Sequence, residues 1–134
     1  MMTLFYNEAV GKLLLRLGLS ITLLLHGIAK VGNGSAVHPI GARLQHWGVP
    51  EQAAWLVFVG ELVAPLMMLL GWRARLGGAL AAVNMLVALL LFRRGALFSL
   101  DQVGGWAIET EVLLLSAALA VLFIGSGRYA VRPD

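Results

Sequence analysis

His26, Lys30, Glu61, Asn84, Glu109 and Glu111 are polar side chains embedded in otherwise apolar runs of this chain. A histidine, an ammonium group and carboxylates held away from bulk water can relay protons, hydrogen-bond a carbonyl oxygen or take a cation. Gly18, Thr22, His26 and Lys30 recur at intervals of four, which sets them along one helix face. Glu61 is followed one helical turn later by Pro65. Glu109 and Glu111 are two positions apart and point to different sides of one helix. Glu109 shares a face with the small Gly105 and the polar Ser116, which selects it for an interior site. Glu111 is left for a second wall of the pocket, a neighbouring subunit, or Arg93 and Arg94. One lysine against three carboxylates leaves excess negative charge in a poor dielectric. Such a cluster must hold a proton, charge His26, recruit an arginine or bind a cation.

The elements that must position these residues are four apolar stretches: Leu13–Val31, Ala53–Trp72, Leu76–Phe92 and Trp106–Ile124. A membrane-spanning helix needs about 20 mostly apolar residues, and in lipid such a segment is helical because each backbone polar group needs an internal partner. The 134 residues are 60% hydrophobic and 13% charged, with a mean hydropathy of +0.86. Ordinary soluble domains are roughly 45–50% apolar and about 25% charged, so a soluble globule is excluded. The pattern predicts an all-α, four-helix transmembrane bundle forming a single integral membrane domain over residues 1–134. A short interfacial helix is expected in the first loop, where Ile40, Leu44 and Trp47 follow Pro39 at helical spacing. Reading the first stretch as a cleaved signal peptide conflicts with its long lead and with His26 and Lys30 after the apolar run.

Rise along a helix converts positions into depth. His26 lies about 6–7 Å inside the end marked by Lys30, Glu61 and Asn84 about 12 Å below their span ends, and Glu109 and Glu111 about 5–8 Å in. All four helices thus place polar residues in one half of the bilayer, which predicts a shared polar pocket. The alternative is that these groups only hold the helices together. Lys12, Arg16, Arg73, Arg75, Arg128 and Arg132 flank one side of the spans, against Lys30, Arg43, Arg93 and Arg94 on the other, which predicts cytoplasmic termini. The net charge of +3 is therefore assigned to topology and lipid headgroups, not to nucleic acid. Trp47, Trp55, Trp72 and Trp106 sit near span ends as an aromatic belt, and Gly77-Gly78 suits close helix packing.

Several chemistries are excluded. The chain has no cysteine, which removes disulfides, thiol redox pairs and Cys-ligated zinc or iron–sulfur sites. A bis-histidine haem needs two histidines within the spans, and only His26 lies in one. No nucleotide fingerprint appears, and Gly125-Ser126-Gly127 after an apolar helix is a helix stop. His26, Glu61 and Glu109 form a compatible metal-ligand set, but on three separate helices, and no metal is assigned.

The chain resembles the DoxX family along almost its whole length. The resemblance rests on Leu15-Arg16-Leu17-Gly18, the His26-Gly27-x-x-Lys30 ending of the first span, Gly48-Val49-Pro50, Glu61 and Gly71-Trp72-Arg73-Ala74-Arg75. Asn84-Met85 and the closing Gly125-Ser126-Gly127-Arg128-Tyr129 also fit, with Ser126 where the family usually has proline. The resemblance implies a multi-pass four-helix protein of the bacterial inner membrane, linked to quinone-dependent oxidation and to complexes with soluble or membrane redox partners. On that reading His26 and Lys30 hydrogen-bond a substrate or quinone oxygen, and Glu61 and Glu109 transfer protons. Asn84, Trp106 and Glu111 contact the substrate. The alternative is a non-enzymatic assembly factor, partner-binding subunit or small-molecule carrier, and a homo-oligomer fits either reading.

Overall fold

The computed structural model describes residues 7–32, 42, 45–48, 50, 59–92, 100, 102–105 and 108–134. Their regular structure is helical: α1 (Glu8–Gly32), a π-helical turn (Val59–Val63) running into α2 (Ala64–Leu70), α3 (Ala74–Phe92) and α4 (Glu109–Ile124). Among the described residues the strand-like pairing is one isolated parallel bridge, Trp72 with Arg132. The fold is all-α. Among the described residues one helical segment, Glu8–Ala29, is long and apolar enough to cross a membrane, while Gly60–Leu70 and Ala74–Leu90 are apolar but shorter. Of the expected interfacial helix, Ala42, Gln45 and His46 are helical, Trp47 follows in a turn with its side chain exposed, and Gly48 N donates to Gln45 O at 3.0 Å; Ile40 and Leu44 lie outside the described residues.

The helix ends follow local chemistry. Asn7 caps α1, its Oδ1 accepting from Val10 N at 3.1 Å. At the end of α2, Gly71 takes the left-handed conformation (φ 76°), so that Gly71 N and Trp72 N both donate to Met67 O at 2.9 Å. α4 stops at Gly125 (φ 78°), whose N–H reaches back to Val121 O, as the glycine-rich sequence there predicts.

α1 packs on α2 and α4, and α3 packs on α2 and, most extensively, on α4. Leu19 and Leu23 of α1 meet Ala64 and Met68 of α2, Ala81, Ala82 and Met85 of α3, and Leu114, Ala118 and Val121 of α4 in one apolar core. Small residues set the spacing. A Cβ on Gly78 would lie 2.7 Å from Ala118 O, and one on Gly77 would lie 3.0 Å from Ala64 O. The expected role of this glycine pair in close packing is what the structure shows.

Candidate functional site

Buried polar groups mark two places, at opposite ends of the packed helices. The first is built on Glu61, 3% exposed and in the middle of the π-helical turn. A π turn carries an extra residue inside a helix, and such turns are frequent at functional sites. Asn84 of α3, half-buried, donates from Nδ2 to Glu61 Oε1 at 3.4 Å. Two glycines bring the walls close. An added Cβ on Gly27 of α1 would run into the Glu61 carbonyl, and one on Gly60 would run into the Asn84 side chain. The carboxyl group therefore sits where α1, the π turn and α3 approach to backbone distance. A carboxylate and an amide in this setting can exchange a proton and orient a polar ligand atom.

The remaining candidates are placed differently. His26 is exposed on α1, its Nδ1 donating to Thr22 O at 3.0 Å, and Thr22 Oγ1 donates to Gly18 O at 2.8 Å. The Gly18-Thr22-His26 stripe satisfies itself along its own helix, and it is Gly27, not His26, that faces the Glu61 backbone. Glu109 is exposed in the first turn of α4, and Glu111 is half-buried. Lys30 lies in the last turns of α1 with its side chain outside the described residues, as is Trp106. Among the described residues no three metal-ligating side chains converge.

The second place is centred on Arg16, which charge counting had assigned to the span flank. It is 1% exposed and is gripped by main-chain oxygens. Nε donates to Met68 O at 2.8 Å, Nη1 to Ser126 O and Tyr129 O at 2.8 Å each, and Nη2 to Leu69 O at 3.3 Å. The planar fork of arginine suits this divergent set of acceptors. It ties α1 to the end of α2 and to the segment after α4. That segment is laid along the α2–α3 turn: Val131 N donates to Leu70 O at 2.9 Å and Arg132 N to Gly71 O at 3.1 Å. Arg75 N donates to Asp134 Oδ2 at 3.2 Å, and the buried Ser126 Oγ accepts from Asp134 N at 3.0 Å. Ser20, one turn beyond Arg16, is fully buried, and its Oγ finds no hydrogen-bond partner. The sequence signal for this buried face was there to read: Arg16, Ser20, Leu23 and Gly27 follow one another at steps of three or four.

A family model described as DoxX matches residues 11–94, more than half of the 134 residues. The matched region contains Gly27, Glu61 and Asn84 of the first polar place, and Arg16, Met68 and Leu69 of the second. No curated protein and no solved structure matches the chain.

Proposed function

We propose that this chain, which belongs to the DoxX family, is a quinone-linked redox protein or a subunit of a membrane oxidoreductase complex, in which Glu61 is the proton-exchanging group. The observation that carries this reading is the burial of Glu61 within an irregular helical turn, in contact with a side-chain amide from α3. Four membrane crossings in the bacterial inner membrane, with cytoplasmic termini, belong to the same proposal.

A carboxyl group and a side-chain amide are the types of group that hydrogen-bond a quinone head. A quinone, when bound, supplies an acceptor of two electrons and two protons. Glu61 holds a proton at a carboxyl oxygen and passes it to, or takes it from, a ligand oxygen beside it. Asn84 Nδ2 donates to Glu61 Oε1 and so fixes which carboxyl oxygen is turned away to meet the ligand. Gly27 and Gly60 exclude water by letting the helices close on the pair. Lys30 and Trp106 are proposed to orient the ligand. His26 and Glu109, being exposed, are proposed to act toward a redox partner or a second copy of the chain.

The non-enzymatic reading, a partner-binding subunit or carrier, draws on the same exposure of the His26 stripe. Purification from native membranes in mild detergent, followed by solvent extraction and quantification of quinone, separates the two. The redox reading expects quinone near one per chain, or saturable uptake on titration. A protein that carries none, and binds none as wild type or as Glu61→Gln, contradicts it.

A further inference from the structure

A polar groove of about 610 Å³ opens between the start of α1 and the segment after α4, lined by Asn7, Glu8, Ala9, Lys12, Gly127 and Arg128. We infer that this groove binds the phosphate diester of a phospholipid headgroup, held between the ammonium of Lys12 and the guanidinium of Arg128.

Three observations carry this. First, the groove is built, not incidental. Arg16 Nη1 donates to Ser126 O and to Tyr129 O, the residues on either side of Gly127-Arg128, and so pins one wall of the groove from inside the core. A Cβ on Gly127 would lie 3.2 Å from Lys12 Cβ and Cδ. The bare glycine backbone therefore lies along the lysine stem, and Lys12 and Gly127 line the groove together. Secondly, Arg128 is pre-positioned: its guanidinium stacks over the Tyr129 ring at 5.2 Å and donates from Nη2 to the Tyr129 hydroxyl at 3.3 Å. An arginine held in this way loses little freedom on meeting a phosphate oxygen. Thirdly, the groove opens at the beginning of Glu8–Ala29, the segment able to cross a membrane, and lies level with lipid phosphates when that segment is inserted. Glu8 on the rim adds a carboxylate, so the lining carries both signs around the two cations. This inference rests on the membrane reading of α1 and is independent of proton exchange at Glu61.

The test uses the purified full chain in micelles, titrated with short-chain phosphatidylglycerol and, separately, with inorganic phosphate. Lys12→Gln and Arg128→Gln are each expected to weaken lipid binding about tenfold, the worth of one charge-assisted contact. Arg73→Gln, an exposed cation outside the groove stacked on Trp72, is expected to change it less than about twofold. Equal losses in all three variants, or no loss in Lys12→Gln, overturn the inference. Inorganic phosphate binding as tightly as the lipid overturns the lipid source. If Arg128→Gln does not fold, Lys12→Gln alone decides. Quinone content measured on the same samples is expected to be unchanged in Lys12→Gln, which tells failure here from failure at Glu61.

Discussion

Arg16 and Glu61 are both charged residues buried in an apolar chain, 1% and 3% exposed, yet they are held in different ways. Arg16 spends its donors on four main-chain carbonyls from two elements, at 2.8–3.3 Å. Met68 O and Leu69 O belong to the end of α2, where acceptors go unsatisfied within the helix, and Ser126 O and Tyr129 O belong to the non-helical segment after α4. The guanidinium therefore finishes α2 and fastens the segment after α4 at once, and moving it would strand several main-chain oxygens. Glu61 meets a side-chain amide at 3.4 Å, within a π-helical turn. Side chains re-orient at far lower cost than backbone. A group fixed by several backbone carbonyls is a fastener; a group that meets a side-chain amide in irregular helix is the one to which the proposal gives proton exchange.

The largest expected effect comes from breaking the fastener. Arg16→Met should lower stability by about 3–5 kcal/mol, because it leaves buried carbonyls without donors. Reversible denaturation in micelles reads this, and a loss below about 1 kcal/mol would dissolve the contrast between the two places. Next, Gly60→Ala drives a methyl group into the Asn84 side chain and should destabilise by about 1–3 kcal/mol. It should also displace Asn84 from Glu61, seen as loss of any ligand that the pair holds. Ser20→Ala sharpens the comparison in the opposite direction. Its hydroxyl is buried without a partner, so removal should raise stability by about 1 kcal/mol. The smallest change in stability belongs to Glu61→Gln, within about 1 kcal/mol of wild type, since a glutamine can still pair with Asn84. Proton exchange should nonetheless be lost.

How far the sequence anticipates these two places differs for physical reasons. Apolar run length locates the helices because a long run without charges has few other solutions in a membrane protein. Depth along the helix axis also sets Glu61 and Asn84 level, and the two meet. Depth says nothing of rotation about the axis, however, and His26 and Glu109 turn outward while Gly27 turns in. The π turn was not legible, since nothing in Val59-Gly60-Glu61-Leu62-Val63 favours an extra residue per turn over the α-helix. Counting cations at span ends puts Arg16 on the flank because it does not separate a solvated charge from a clamped one. The acceptors that clamp it lie 52 to 113 positions away, on backbone atoms that have no sequence signature.

The central claim is that Glu61 exchanges a proton while Arg16 only holds. Infrared difference spectroscopy of the quinone-loaded protein, recorded on reduction and reoxidation, reads this most directly. The account predicts that the carbonyl stretch of a protonated carboxyl group changes with each cycle in wild type and disappears in Glu61→Gln. No carboxyl change in wild type, or the same band persisting in Glu61→Gln, would contradict it.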